Sequence, residues 1–312
     1  MVGMIAASPS PGAPTGGSPG APTGGEGARA GEPPMHVPSA GAIMVRAQGE
    51  NFSVAGRLLG RRLRDHLLAV YGFARLVDEL GDAFAGDRAA ALDWLEGDLD
   101  RAYRGEAEHP LLRALQPTLR ECELPREPFA RLIEANRLDQ RVSRYATWEQ
   151  LRAYCELSAN PVGELVLGVF AQATPARVSL SNDICTALQL TEHCQDVAED
   201  MARERVYLPA EDLARCGCTL ADLSAPHVGG PLRETLTFEC ARARELLARG
   251  APLIGELRGV RARLAVAAFV AGGRAALDAI ERADYDVLAG PPRAGRARRA
   301  LMLAGTLVER RR

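Results

Sequence analysis

Residues 71–82 read Tyr-Gly-Phe-Ala-Arg-Leu-Val-Asp-Glu-Leu-Gly-Asp, a mainly apolar segment whose charged residues recur at helical spacing. In a helix, steps of four, three and four residues place these polar side chains on one face: Tyr71, Arg75, Asp78 and Asp82. Two carboxylates at this spacing, with Glu79 between them, repel by roughly a few tenths of a kcal/mol unless a cation neutralises them. Taken alone, the pattern is typical of the solvated acidic end of a surface helix.

A second acidic face occurs in the segment 180–202, which has the apolar spacing of a long amphipathic helix. Steps of three, four and four residues place its polar side chains on one face: Gln189, Glu192, Asp196 and Asp200. Two such faces on separate helices are far more specific than one. If both helices border the same cavity, four to six carboxylates converge there with little positive charge to compensate them.

Carboxylate ligands without His or Cys at matching positions suit Mg²⁺ rather than zinc. Magnesium commonly bridges one or two carboxylates to the phosphate oxygens of a ligand. The two faces therefore predict a diphosphate substrate held by Mg²⁺, with Arg75, Arg203 and Arg205 placed to bind phosphate oxygens.

The apolar residues of the same helices predict a pocket for a hydrocarbon chain. Metal-bound diphosphate is a good leaving group because its developing negative charge is neutralised in place. Its departure leaves a carbocation, which the pocket must shield from uncontrolled water. The reaction class predicted from these residues is ionisation of an isoprenoid diphosphate, and the product stays open.

The remaining sequence predicts an all-α fold, because no strand-like alternation persists in the 312 residues. Further helical patterns occupy 89–104, 111–122, 128–145, 231–250 and 253–286. Thr147 with Gln150 predicts a capping box that starts a helix through Leu157. Asn160-Pro161-Val162-Gly163 interrupts this region, either as a kink beside a ligand or as a simple join of two helices. Gly272-Gly273 indicates either a close approach of another group or a helix boundary.

The two ends of the chain differ in composition from the middle. Residues 1–40 are rich in Pro, Gly and Ser, which predicts a disordered tail before a folded domain at 47–300. Residues 293–312 carry seven arginines and one acid, and 301–312 is treated as a basic C-terminal end. A solvated end is the favoured interpretation, and peripheral contact with an anionic membrane surface is the alternative.

Overall composition excludes several classes of protein. A net charge of -2 and a pI near 6.3 give no basic field, so we expect no nucleic-acid partner. Seven scattered cysteines, with no second pair near Cys216 and Cys218 at zinc spacing, favour a reduced, cytoplasmic protein. The sequence shows neither a run of 18 apolar residues nor a signal-peptide pattern, so we expect at most a peripheral position at the inner face of the membrane.

Three segments resemble the squalene/phytoene synthase family: NFSVAGRLLG at 51–60, AVYGFARLVDELGD at 69–82 and ALQLTEHCQDVAEDMARERVYLP at 187–209. The resemblance spans about 47 to 300 and implies an isoprenoid-synthase helical bundle around a central cavity. It also implies prenyl diphosphate substrates and Mg²⁺ held by two aspartate motifs. By position, it implies metal ligands at Asp78, Asp82, Asp196 and Asp200, which with Tyr71 would be catalytic. It implies substrate-binding roles for Asn51, Phe52, Arg75, Gln189, Glu192, Arg205 and Tyr207.

Within the family, ANPVG at 159–163, QDV at 195–197 and Gly272-Gly273 resemble one bacterial branch. That branch ionises presqualene diphosphate, rearranges the cyclopropyl cation and captures it with water, without NADPH, to give hydroxysqualene for squalene and hopanoid formation. The resemblance leaves association with neighbouring squalene-pathway enzymes open. A head-to-head prenyl diphosphate condensing enzyme is the alternative within the family, and a non-catalytic prenyl-lipid-binding or scaffold relative is the alternative outside enzymes.

Two positions depart from the family pattern. Glu192 stands where many members have Asn, on the face expected to meet the metal. It either binds magnesium more strongly or overloads the site with negative charge. Gln195 stands where Arg is usual, which removes a cation from the diphosphate region.

Overall fold

The computed structural model describes residues 59–309, with side chains described from 59 to 307. The predicted tail at 1–40 and the predicted site residues Asn51 and Phe52 lie outside this range. Within it the chain is helical and contains no named strand, and one isolated bridge pairs Arg144 with Val206. The predicted all-α fold is confirmed.

Fourteen α-helices and one π-helical turn follow one another in the described range. The first seven helices are α1 Arg61–Asp78, α2 Arg88–Arg104, α3 Pro110–Glu121, α4 Arg126–Asp139, α5 Trp148–Ser158, α6 Asn160–Val169 and α7 Pro175–Gln195. The others are α8 Val197–Ala202, α9 Ala210–Arg215, α10 Leu220–Leu223, α11 Gly230–Gly250, α12 Leu253–Glu256, α13 Val260–Arg282 and α14 Arg296–Glu309. The π-helical turn is Glu79–Ala83, directly after α1.

Helix α7 lies at the centre of the fold and packs against α5, α6, α11 and α13. Its buried residues occur all around the helix, which is typical of a helix enclosed by neighbours on every side. On the other side of the bundle, α1 and α4 pack through Phe73 and Phe129, whose rings meet edge to face at 5.0 Å and are fully buried. The two predicted acidic faces are thus carried by the central helix α7 with the segment after it, and by α1, which packs against α3, α4 and α6.

The first acidic helix does not continue regularly to Asp82. α1 ends at Asp78, and the wider π-helical turn follows. The Gln140 amide donates to the carbonyl oxygen of Gly81 at 2.9 Å, and a Cβ at position 81 would overlap the Asn136 side chain. The close contact with α4 therefore requires glycine, and Asp82 departs from α-helical register with Asp78.

The prediction of one helix over 180–202 is wrong. α7 begins earlier, at Pro175, and ends at Gln195, because Asp196 takes a non-helical conformation with φ −101° and ψ 18°. Backbone hydrogen bonds span the break on both sides, since Asp196 N–H donates to the Glu192 carbonyl and Asp200 N–H to the Asp196 carbonyl. The break is therefore a local bend that leaves both carboxylates on the same side of the chain.

The prediction of a helix from 128 to 145 is also wrong at its end. α4 stops at Asp139, and Tyr145 belongs to the connection that follows. There the chain runs beside the segment after α8: Val206 N–H donates to the Ser143 carbonyl at 2.8 Å, and Ala210 N–H to the Tyr145 carbonyl at 2.9 Å. This pairing brings Arg205 and Tyr207 to the end of α4.

Several other sequence boundaries shift in the structure. Thr147 caps α5 as predicted, but the Gln150 side chain accepts from Ala146 N–H at 2.8 Å, so the capping box is incomplete. The region predicted as one helix over 253–286 is divided into α12 and α13. Pro110 and Pro161 lie in the first turns of their helices, where the missing N–H costs no hydrogen bond, and Pro117 lies inside α3.

The C-terminal helix α14 packs against α13 and runs across residue 300. Arg298 donates two hydrogen bonds to the Asp278 carboxylate, at 2.7 and 2.9 Å, and Arg274 donates to the Thr306 hydroxyl at 3.2 Å. The described part of the basic end is therefore docked on the bundle. No helix within 59–309 is long and apolar enough to cross a membrane.

The two neighbouring glycines of α13 have different surroundings, which predicts opposite effects of the same substitution. A Cβ at Gly273 would lie 2.7 Å from Leu188 Cδ2 and 3.1 Å from Leu247 Cδ1, whereas a Cβ at Gly272 meets nothing within 4 Å. We expect Gly273→Ala to lower the free energy of unfolding by about 1–2 kcal/mol through overpacking. Gly272→Ala, the matched control, should raise it by about 0.5–1 kcal/mol through helix propensity. Urea denaturation measures both, and equal effects would contradict the close packing at 273.

Candidate active site

The two acidic faces meet at one polar cavity with a volume of about 150 Å³. Nine of the residues that the sequence predicts for the site line it: Asp78, Asp82, Gln189, Glu192, Asp196, Asp200, Arg203, Arg205 and Tyr207. Seven further residues complete the lining: Ala74, Leu132, Asn136, Asp139, Tyr154, Ser158 and His193. The lining thus contains six carboxylates and two guanidinium groups, the excess of negative charge that the sequence predicts.

Aliphatic residues contribute little to this cavity, since only Ala74 and Leu132 of the lining are aliphatic. The cavity is therefore suited to a charged group and is not the hydrocarbon pocket that the sequence predicts. That pocket stays a prediction.

On the first wall, the Asp78 carboxyl has a pKa raised to about 7. Burial is the main cause, the Arg75 guanidinium opposes it, and the carboxylates of Asp82 and Glu192 add to it. Arg75 Nη1 lies 3.8 Å from Asp78 Oδ2. Arg75 is not part of the lining, so it contacts Asp78 from outside the cavity. Tyr71 is buried and also lies outside the lining.

On the second wall, burial raises the pKa of Asp196 to about 7, with Glu192 and Glu199 adding to the effect. Burial raises the pKa of Asp200 to about 8, and the carboxylates of Asp196 and Glu192 raise it further. Glu192 thus helps to raise the pKa values of aspartates on both walls. Such coupling requires that the two walls face each other across a short distance.

Arg205 connects the second acidic segment to the first wall. Its Nη1 donates to Asp82 Oδ1 at 2.8 Å, and its Nη2 approaches the Asp139 carbonyl oxygen at 3.4 Å. Although burial opposes its positive charge, the neighbouring Tyr207, Asp82 and Asp139 raise the pKa of Arg205 above its usual value. Arg205 therefore stays charged and occupies a position where it can exchange Asp82 for a phosphate oxygen.

Asp139 is a functional candidate that helical spacing in the sequence does not indicate. Its carboxylate accepts hydrogen bonds from the Tyr154 hydroxyl at 2.7 Å and the Tyr207 hydroxyl at 3.3 Å. Burial raises the pKa of Asp139 to about 6, although the bond from Tyr154 opposes the rise. Because Asp139 is the last residue of α4, only the tertiary structure brings it beside Arg205 and Tyr207.

An aromatic cluster lies next to these carboxylates. The His193 and Tyr207 rings stack with centroids 4.0 Å apart and an interplanar angle of 12°, and Tyr154 lies 5.6 Å from Tyr207. Burial lowers the pKa of His193 well below its usual value, so the imidazole is neutral. Helical spacing could have identified His193, which follows Gln189 by four residues. Tyr154 carries no such signal in the sequence.

The donor set fits magnesium in chemistry, since carboxylate oxygens of Asp78, Asp82, Asp196 and Asp200 border the cavity without a cysteine ligand. No group of three His, Cys, Asp or Glu side chains within the described range is close enough to hold a metal by itself. Magnesium usually takes one or two protein carboxylates and completes its shell with water and phosphate oxygens. The arrangement therefore fits a metal that binds together with a diphosphate.

An α-helical bundle with two opposed acidic walls around a central cavity has the architecture of the helical isoprenoid synthases. The chain belongs to the squalene/phytoene synthase family, whose model matches residues 45–301. It is an enzyme of that family.

Individual relatives support this assignment. The hydroxysqualene synthase of Zymomonas mobilis is 32% identical over 70% of this chain and 75% of its own length. The presqualene diphosphate synthase of Rhodopseudomonas palustris is 33% identical over 68% of this chain and 79% of its own length. The crystal structure of squalene synthase HpnC from Alicyclobacillus acidocaldarius is similar with 47% identity and a TM-score of 0.72, covering 77% of this chain and 90% of that chain.

Proposed function

We propose that this enzyme uses Mg²⁺ to ionise presqualene diphosphate, rearranges the resulting cation and captures it with water to give hydroxysqualene and diphosphate. The observation that carries the proposal is the meeting of six carboxylates from different helical segments in one cavity, with raised pKa values on both walls. Such a charge excess favours binding of a cation. The similarity to hydroxysqualene synthases supports the choice of substrate and product.

Aspartates of both walls would hold the metal, and Arg205 would bind the leaving group. Asp78 and Asp82 would hold magnesium on the first wall, and Asp196 and Asp200 on the second. When bound, Mg²⁺ neutralises the negative charge that develops on the departing diphosphate. Arg205 would release Asp82 and bind a phosphate oxygen instead, because its planar fork matches phosphate geometry.

The aromatic cluster and Asp139 would act on the organic part of the reaction. Tyr154 and Tyr207 line the cavity, and an aromatic ring facing a cation would stabilise its positive charge by about 1–2 kcal/mol when water is excluded. Asp139 holds both hydroxyl groups and thereby fixes the two rings. These residues would keep the cation in place during rearrangement.

A head-to-head condensation of two prenyl diphosphates is the second candidate. The same acidic walls would ionise the first substrate molecule in that reaction, and the similarity to a presqualene diphosphate synthase supports it. The two candidates differ in substrate and in the need for a second prenyl chain, so product analysis separates them.

Product analysis with purified full-length protein tests the proposal. Incubation with Mg²⁺ and presqualene diphosphate, without NADPH, should release diphosphate and hydroxysqualene in equal amounts. Farnesyl and geranylgeranyl diphosphate should give no coupled product under the same conditions. Formation of presqualene diphosphate or phytoene would support condensation, and squalene formed only with NADPH would contradict water capture. Absence of turnover on all three substrates would support a non-catalytic role.

A further inference from the structure

A buried charged cluster lies where α11 meets the beginnings of α5 and α9. Arg242 of α11 donates to the Asp212 carboxylate at 2.8 Å and to the Glu239 carboxylate at 2.7 and 2.8 Å. None of these three residues lines the cavity. We propose that Arg242 is a positioning residue that holds Tyr154 and Tyr207 in the geometry required for rearrangement of the cation. This inference rests on the proposed function and assigns a role to a residue outside the cavity.

Arg242 uses both the fork and the flat faces of its guanidinium group. Its Nη2 approaches Asp212 Oδ1 at 3.4 Å, so both nitrogens of the fork face the carboxylate of α9. The guanidinium carbon lies 4.5 Å from the centre of the Trp148 ring and 4.6 Å from that of the Phe238 ring. Asp212 and Glu239 are buried, so the ion pairs form away from bulk water. An ammonium group cannot reproduce the fork and the stacking together, so the site requires arginine.

The beginnings of α5 and α9 are joined to each other beside Arg242. Glu211 N–H donates to the Ala146 carbonyl at 3.0 Å, and the Glu211 carboxylate accepts from Trp148 N–H at 2.7 Å. Asp212, the residue after Glu211, binds the guanidinium group that stacks on Trp148. Arg242 therefore fixes both helix beginnings against α11, which packs on the central helix α7.

Both helix beginnings lead to a tyrosine of the cavity. Tyr154 follows Trp148 on α5, about 9 Å along the helix axis, and Tyr207 precedes the first residue of α9 by three positions. The two hydroxyl groups meet at the Asp139 carboxylate, at 2.7 and 3.3 Å, and the ring centres are 5.6 Å apart. The two segments are thus held together at Arg242 and again at Asp139. A change at Arg242 should shift the two rings relative to each other without altering a carboxylate of the acidic walls.

Such a shift has a specific consequence for the proposed reaction. Ionisation depends on the acidic walls, whereas rearrangement depends on the tyrosines that face the cation. A displacement of about 1 Å in a positioning group can slow a step by about a hundredfold. Loosening the contacts of Arg242 should therefore slow rearrangement relative to water capture, and more of the cation should be captured with its cyclopropane ring intact.

Arg242→Lys tests the inference by product composition, because lysine keeps the positive charge but loses the fork and the stacking surface. Diphosphate release from presqualene diphosphate should stay within about threefold of the unmodified rate. The ratio of hydroxysqualene to alcohols that retain the cyclopropane ring should fall about tenfold or more. Asp212→Asn, which weakens the contact to α9 and leaves the guanidinium group in place, should change the ratio in the same direction.

Arg244→Lys is the matched control on the same helix. Arg244 donates to the Glu281 carboxylate at 2.6 Å, and neither residue lines the cavity or contacts α5 or α9 through a printed side-chain bond of Arg242. This variant should leave both the rate and the product ratio unchanged. In the Tyr207→Phe background, Arg242→Lys should change the ratio little further, because the two substitutions act through the same tyrosine.

The product ratio distinguishes positioning from general support of the fold, because loss of folded enzyme lowers all products equally. An unchanged ratio in Arg242→Lys would overturn the inference, and so would an equal change in Arg244→Lys. If Arg242→Lys does not fold, Asp212→Asn decides by the same ratio.

A crystal structure of Arg242→Lys without substrate supplies a measurement that does not depend on turnover. The distance from the Tyr207 hydroxyl to the Asp139 carboxylate should exceed about 3.5 Å, the limit of a hydrogen bond. Unchanged distances at Asp139 would contradict the inference. If the unmodified enzyme makes no hydroxysqualene, the proposed function fails, whereas the positioning by Arg242 stands or falls with the crystal structure.

Discussion

Asp78→Asn and Asp196→Asn should each reduce the rate of diphosphate release by about a thousandfold or more, because each would remove from one wall a charged ligand of the proposed magnesium site. The same substitutions should raise the melting temperature of the metal-free protein by about a few degrees. The reason is that burial and neighbouring carboxylates raise the pKa of both groups, so their ionised forms destabilise the fold. Loss of activity together with gain of stability is typical of a residue kept for function.

Asp183→Asn is the matched control for Asp196→Asn. Asp183 lies on the same helix, α7, outside the cavity lining, and its carboxylate pairs with Arg249 at 3.1 Å. We expect this variant to keep full activity, with a slight loss of stability. Pyrophosphate release and thermal denaturation measure both properties. Activity retained in Asp78→Asn or Asp196→Asn would show that the acidic walls do not hold the reacting group.

The second large effect is expected in the pH dependence of the free energy of unfolding. In the unfolded chain an aspartate titrates near its ordinary value of 3.8, whereas in the folded protein the pKa values of Asp78 and Asp196 are about 7 and that of Asp200 is about 8. Between about pH 4 and pH 8 the folded state therefore binds more protons than the unfolded state, and the free energy of unfolding should fall as pH rises through this range. Bound Mg²⁺ with pyrophosphate requires ionised carboxylates, so its stabilising effect should be large at pH 8 and small at pH 5.

The contribution of Glu239 to the pH dependence of stability must be distinguished from that of the cavity aspartates. Glu239 is fully buried, and burial raises its pKa to about 8, so it changes stability in the same direction. The double variant Asp78→Asn/Asp196→Asn isolates the contribution of the cavity, because its stability should depend less on pH than that of the unmodified protein. Urea denaturation at pH 5, 6.5 and 8 measures the slope of the free energy of unfolding against pH. That slope tests the range between about pH 4 and pH 8 that the raised pKa values set. Identical slopes in the two proteins would contradict the raised pKa values of the acidic walls.

Spacing in the sequence was sufficient to predict the residues of both acidic walls, because a helical step of four residues depends only on local geometry. Local geometry was not sufficient for the π-helical turn, since it results from contact of Gly81 with Asn136 and Gln140, which lie on and just after α4. The bend at Asp196 was missed because the hydrogen bonds on both sides of it remain helical. Despite both irregularities, the carboxylates of the two predicted faces line one cavity, although the helices that carry them have other bounds than predicted.

The other cavity residues depend on tertiary contacts. Asp139 and Tyr154 enter the lining because the chain after α4 pairs with the chain after α8. Ser158 enters because α5 ends where α6 meets α7. The interruption at Asn160-Pro161 is a join between two helices, and its consequence is to place the end of α5 at the cavity.

Calorimetric titration tests most directly whether both acidic walls form one site for magnesium and diphosphate. Mg²⁺ should bind tightly only in the presence of pyrophosphate, because no three described side chains form a metal site by themselves. Asp78→Asn and Asp196→Asn should each abolish this binding, and the double variant should lose no more than either single variant. Tight binding of Mg²⁺ without pyrophosphate, or independent and additive losses in the two variants, would show that the walls act as separate sites.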